Sequence, residues 1–267
     1  MASIKDAIEE CVLDKNSLVK FVIYAIPLFL CAQAIMSGNS PTSSLMIVGI
    51  TITSILLLGY MLKCTMNTAD DSSTRVLPSY NILGVFVLGL KGTIILAPIA
   101  IISKLLAGFF IGLLANAPIP ERLIMIFSWI IWIILGSFVC TSYLLYTRRG
   151  KPFDAYNVSA ILKYCIDILL GVIFMKILIA LADIVLLLPG GYLLWLFFGL
   201  ESPISVFILS VIAVFNISVM GHYLAQIGYE IIAVEEEEKA EDKKYAEMEK
   251  ERLENLKNNN SDDIYNS

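Results

Sequence analysis

Residues 59–91 read GYMLKCTMNTADDSSTRVLPSYNILGVFVLGLK. The stretch leaves one apolar segment, crosses a short polar loop, touches down on Pro78-Ser79-Tyr80-Asn81 and enters the next apolar segment. Its plan returns over residues 142–167, SYLLYTRRGKPFDAYNVSAILKYCID, with the exit tyrosine Tyr143, a short basic loop and Tyr156-Asn157 ahead of another apolar segment. A join used twice in this way sets the topology and leaves the activity open.

Of the 267 residues, 58% are hydrophobic and the mean hydropathy is +0.78, whereas soluble domains hold roughly 45–50% apolar residues. Apolar runs of about 17–25 residues are long enough for a bilayer core of about 30 Å. Six such runs occur, at 18–37, 44–63, 92–115, 123–146, 166–188 and 203–232. The expectation is an all-α polytopic membrane helix bundle with six transmembrane helices. Residues 1–17 form an interfacial helix, 18–232 the membrane domain and 233–267 a charged tail.

The formal charge of −5 averages two regions of opposite sign. From Glu230 onward there are 13 acids and 6 bases, so the preceding residues hold 13 bases and 11 acids. Orientation follows Lys and Arg near the helix ends and not net charge. Lys5, Lys15, Lys20, Lys63, Arg75, Arg148, Arg149, Lys151 and Lys163 fall on the side of the N-terminus, and the opposite turns offer Arg122. Both termini are therefore expected in the cytoplasm, with the protein in the cell membrane. The five cysteines show no C-x-x-C spacing, which speaks against disulfides and a zinc site.

In residues 4–12 the apolar Ile4, Ala7, Ile8, Cys11 and Val12 share one face, with Lys5, Asp6, Glu9 and Glu10 opposite. This pattern predicts a helix lying on the bilayer. Ala32-Gln33-Ala34 resembles a signal-peptide cleavage site, but the region before it is long and acidic, so cleavage is not expected. Pro27 predicts a kink in the first run. Segments 78–90 and 153–165 read as further interfacial helices ahead of the third and fifth runs. Residues 192–200, after Leu188-Pro189-Gly190-Gly191, read as a re-entrant or interfacial piece with Trp195 at headgroup level.

The second, fourth and sixth runs close on Tyr60, Tyr143 and Tyr223, placed by depth in an aromatic belt. Together with Pro78, Asn81, Tyr156 and Asn157, these tyrosines define three repeats of parallel topology. In the tail, Glu235–Lys239, Lys243–Glu247 and Lys250–Glu254 are i, i+4 pairs predicting a helix to about residue 256, with disorder after it.

No nucleotide loop, nucleophile elbow or H-E-x-x-H pair occurs, and no cofactor or nucleic-acid partner is expected. His222, the one histidine, stands between Gly221 and Tyr223 and reads as a hydrogen-bonded interfacial residue. The glycosylation patterns at Asn157 and Asn216 are chance matches, one at the inner face and one within a run. Gly108 and Gly112 form a small-x-x-x-small pair read as internal helix packing. Charges within apolar runs face the bundle interior or a water-filled cavity. They are Lys104 in the third run, with Lys176 and Asp183 in the fifth. Laying Tyr80-Asn81 on Tyr156-Asn157 puts Lys104 at the depth of Ala180, close enough for Asp183 to pair with it.

Gly59-Tyr60, Leu77-Pro78, Asn81, Phe86, Gly89-Leu90-Lys91 and Pro98, with Phe153-Asp154-Ala155-Tyr156 and the span from Tyr223 to Tyr229, carry a family likeness. The chain resembles, over roughly residues 10–232, an uncharacterised polytopic membrane family of archaea and bacteria, domain of unknown function 4013. Ser79-Tyr80 stands here where that family has an aromatic-rich acidic stretch. The resemblance implies architecture and a prokaryotic cell membrane, and no activity.

Two function classes follow. One is a non-enzymatic scaffold that recruits a cytoplasmic partner through its inner surface and residues 235–267. The other is a small-solute or lipid transporter using Lys104, Lys176 and Asp183. An enzyme is disfavoured because no paired carboxylates or His/Asp cluster share a depth.

Overall fold

The computed structural model describes residues 3–69, 76–117, 119–199, 201–233, 241, 242 and 244–249, without the side chains of 149, 175, 176, 178, 179, 181–183, 185–188 and 233. Among the described residues the regular elements are all helical. They are α1 Ile4–Leu13, α2 Ser17–Met36, α3 Ser44–Ala69, α4 Ile82–Ala115, α5 Glu121–Arg149, α6 Val158–Phe198 and α7 Pro203–Gly228. A 3-10 turn, Pro152–Tyr156, leads into α6, and a π-helical turn, Tyr229–Ala233, follows α7. Among the described residues five helices, α2 to α5 and α7, are long and apolar enough to cross a membrane. The 41-residue α6 contains the remaining apolar run.

Local chemistry sets the ends. Ser3 accepts the Asp6 N–H to cap α1. Each of the two Tyr-Asn steps ends in a helix N-cap: Asn81 Oδ1 accepts the Gly84 N–H at 2.9 Å, and Asn157 Oδ1 accepts the Ala160 N–H at 3.2 Å. Each satisfies an amide that the first helical turn leaves without a partner. Ser202 caps α7 with Pro203 in its first turn, where the missing N–H of proline costs nothing. Between α1 and α2 the chain turns at Asn16 with φ 59°, a conformation asparagine tolerates better than most residues.

Several expectations are corrected. Segments 78–90 and 153–165 are not separate interfacial helices, because residues 82–90 and 158–165 are the opening turns of α4 and α6. With Asn81 and Asn157 as caps and no breaker before the apolar runs, these helices propagate at about 1.5 Å per residue, to roughly 50 and 60 Å. The expected re-entrant piece at 192–200 is also absent, since α6 continues through Pro189 to Phe198. Trp195, 56% exposed, lies on that extension. Helix α1 does not rest its apolar face on lipid: Ala7 and Cys11 are fully buried, and Ile4 and Ile8 join the core of the bundle.

Helices α3 and α7 form the centre. Helix α7 packs on α1, α2, α3, α5 and α6, while α3 packs on α2, α4, α5 and α7. Tyr24, Tyr60, Leu62, Leu144, Ile168 and Val214 are buried there. The closest approach is between α3 and α4, where a Cβ built on Gly59 falls 2.0 Å from the Val85 carbonyl oxygen and one built on Gly89 falls 1.9 Å from that of Ile55. By contrast, Gly108 and Gly112 are exposed, and a Cβ on either meets nothing within 4 Å. The expected internal packing of that pair is therefore replaced by the Gly59–Gly89 crossing. In the tail, residues 241, 242 and 244–249 are helical; the predicted remainder of that helix and the disorder after it lie outside the described residues.

Candidate functional site

The end of the bundle that carries α1 gathers the polar groups. Asp14, at the end of α1, and Lys20, in the first turns of α2, form an ion pair whose side chains are 2% and 3% exposed. An ion pair removed from water is stable only when its other valences are also used, and here they are. Asp14 Oδ2 accepts the Leu77 N–H at 2.8 Å, and Lys20 Nζ approaches the Leu77 carbonyl at 3.5 Å. Asn67 of α3 donates to the Val76 and Leu77 carbonyls at 3.2 and 3.4 Å, and the Tyr24 hydroxyl donates to the Ser79 carbonyl at 2.9 Å. Three helices thus grip the segment around the buried Pro78. Sequence reasoning assigned Lys20 only to orientation and missed Asp14; the available signal was a lysine interrupting an apolar run six residues after an aspartate.

A second cluster joins α3, α5 and α7. The Thr65 hydroxyl lies 3.0 Å from the Met61 carbonyl, 2.9 Å from the Gly221 carbonyl and 2.6 Å from the Tyr143 hydroxyl. Carbonyls only accept, so the Thr65 proton serves them and Tyr143 donates to Thr65. The Tyr60 hydroxyl pairs with Ser218 at 2.9 Å while its ring lies 4.5 Å from that of Tyr24. Tyr60, Tyr143 and Tyr223 are buried, at 0%, 4% and 3% exposure, which corrects their assignment to an aromatic belt. The hydroxyls of Tyr60 and Tyr143 find partners on neighbouring helices, which lets those rings enter the core. Tyr156 donates to the Ile95 carbonyl at 2.7 Å and ties the approach to α6 onto α4.

The third cluster surrounds His222, 2% exposed on α7. Its Nδ1 lies 2.7 Å from Thr68 Oγ1, and its Nε2 lies 3.0 Å from Gln226 Nε2 and 3.2 Å from Glu10 Oε2. Gln226 Oε1 accepts the Ser3 N–H at 2.8 Å. Helix α1 is thereby fastened at its start by Gln226, in its middle by the Cys11 face and at its end by Asp14. Burial, with the charges of Asp14 and Glu10 adding to it, pushes the Cys11 thiol up to about 12. None of the five cysteines is in a disulfide.

Of the charges expected within the apolar runs, Lys104 does not join these clusters. Lys104 is exposed on α4, beside the buried Ser103, which corrects its expected place in the bundle interior. The side chains of Lys176 and Asp183 lie outside the described residues, and so does the expected pair with Lys104. An apolar cavity of about 410 Å³ between α5 and α6 is lined by Trp129, Trp132 and Ile177 among others. A smaller one of about 230 Å³ lies beside Lys63, Ser79 and Asn81.

No protein-family model matches the chain, and no curated protein or solved structure is significantly similar to it. The fold and the three polar clusters therefore carry the functional argument on their own.

Proposed function

We propose that the chain is an integral protein of the cell membrane with six crossings and both termini in the cytoplasm, acting as a non-enzymatic platform for a cytoplasmic partner. The crossings are α2 to α7, and the three-hairpin repeat and the resemblance to the uncharacterised prokaryotic family belong to the same proposal. The observation that carries it is the fastening of α1. A ten-residue helix tied to the bundle through Gln226, Cys11 and Asp14 leaves Lys5, Asp6, Glu9 and Glu10 exposed in a fixed array. Holding a charged face rigid lowers the ordering cost of binding. The predominance of acids on α1 and in residues 235–267 suits a partner with a basic surface. The transporter reading draws no support from Lys104, which is exposed and away from the polar clusters.

Lysine-directed cross-linking in native membranes tests this reading. The wild type is compared with an Asp6→Lys, Glu9→Lys variant and with a chain lacking 235–267. A cross-linked partner lost in either variant supports the platform; one retained equally in both overturns it. For the topology, an impermeant maleimide should label a cysteine placed at Asn39 from outside the cell and leave one at Gly150 unlabelled. The reverse pattern excludes cytoplasmic termini.

A further inference from the structure

Around His222 the hydrogen bonds to Thr68 and Gln226 favour the neutral ring. Thr68 Oγ1 lies 2.9 Å from the Cys64 carbonyl, which only accepts, so the single Thr68 proton goes there. Thr68 must then accept from His222, which puts a proton on Nδ1. Gln226 Oε1 is occupied by the Ser3 N–H, so the amide nitrogen of Gln226 faces Nε2 as a donor. The neutral ring satisfies the bonds to Thr68 and Gln226, while its Nε2 lone pair faces the Glu10 carboxylate at 3.2 Å. An imidazolium would set its Nε2–H against the Gln226 N–H; relieving that contact requires turning the Gln226 amide, which abandons the Ser3 N–H. The Glu10 carboxylate, 3.2 Å from Nε2 and on a residue whose side chain is 54% exposed, is placed to take the new proton instead.

We infer that His222 is a proton-operated latch on α1. In the neutral state α1 is held at its start through Ser3 and Gln226; protonation gives up that tether and draws Glu10 onto the ring, loosening the first turn of α1. Among the described residues the charges acting on the ring are Glu10 and Asp6, both on α1. Helix α3 meets the ring with the Thr68 hydroxyl, and the Cys64 side chain lies against the adjacent Gly221. The inference concerns the docking of α1 alone and does not depend on the platform reading, although a platform would be switched by it.

Deuterium exchange of the full chain in lipid nanodiscs, followed for peptides covering 4–13 and corrected for the intrinsic pH dependence of exchange, tests the latch. Because the chain has one histidine, a transition between pH 5.5 and 8 points to this ring or to the α-amino group, and His222→Gln separates the two. The expected result is a loss of protection in α1 on acidification, absent in His222→Gln. Glu10→Gln, at an exposed position, removes the acceptor for the imidazolium and should move the midpoint to lower pH. Protection that is constant or rises on acidification, a transition that survives in His222→Gln, or a midpoint unmoved by Glu10→Gln overturns the latch. If His222→Gln does not fold, the Glu10→Gln midpoint decides.

Discussion

Gly59 of α3 and Gly89 of α4 face each other where a Cβ on either would fall about 2 Å from the partner helix's backbone oxygen, 2.0 Å at Gly59 and 1.9 Å at Gly89. At that separation the backbones themselves are in contact, and small residues at helix interfaces are what permit it. The first prediction follows directly. Gly59→Ala and Gly89→Ala should each destabilise the protein by at least the roughly 1–3 kcal/mol typical of overpacking, because a carbonyl cannot rotate away as a side chain can. Gly108→Ala and Gly112→Ala, which meet nothing within 4 Å, should be close to neutral. Thermal unfolding in detergent compares the four; equal effects at both pairs would show that the crossing lies elsewhere.

The Asp14–Lys20 pair yields the second prediction. Each side chain is nearly inaccessible, so Asp14→Ala alone leaves a buried ammonium and Lys20→Met alone a buried carboxylate. Removing one partner of such a pair costs about 3–5 kcal/mol. The Asp14→Leu, Lys20→Met double variant should recover part of that loss. Strict additivity in a double-mutant cycle would mean that the two groups are not coupled.

Thr65 gives the third. Tyr143→Phe removes one donor and should cost about 0.5–1.5 kcal/mol, the usual net worth of a hydrogen bond. Thr65→Val strands the Tyr143 hydroxyl and removes the donor shared by the Met61 and Gly221 carbonyls, so it should cost more than Tyr143→Phe. The order of the two melting temperatures is the measurement, and the reverse order contradicts the assigned proton direction.

Cys11 supplies a pH dependence. Its thiol ordinarily titrates near 9 and in the folded protein near 12, chiefly through burial. The folded state therefore binds this proton more tightly than the unfolded chain, so its contribution is fully present below pH 9 and declines as pH rises from 9 toward 12. Stability measured over that window should fall less in Cys11→Ala than in the wild type. Iodoacetamide should leave Cys11 unmodified at pH 8 while the protein stays folded, since the thiolate is the reacting form; fast labelling there would show that α1 is not seated as described.

Helix type and the approximate limits of the apolar runs are determined by the sequence alone, because run length and composition are properties of neighbouring residues. The recurrence of Tyr80-Asn81 and Tyr156-Asn157 is visible in the sequence, but the continuous helices α4 and α6 that begin there read from it as separate interfacial helices. The tertiary structure decided which faces meet. Helices that are apolar all round give periodicity no inward side to report, so Gly59 and Gly89 could not be told from Gly108 and Gly112, nor a buried Tyr143 from a tyrosine in an interfacial belt. Lys104 was misplaced for a related reason: depth along a helix follows from counting residues, whereas rotation about its axis is fixed only by the neighbours it packs against. The clusters at Lys20 and His222 were hidden because their partners come from distant residues, Leu77 for the one and Glu10 and Thr68 for the other, and only the packing of α1 on α2 and α7, and of α3 on α7, brings them together.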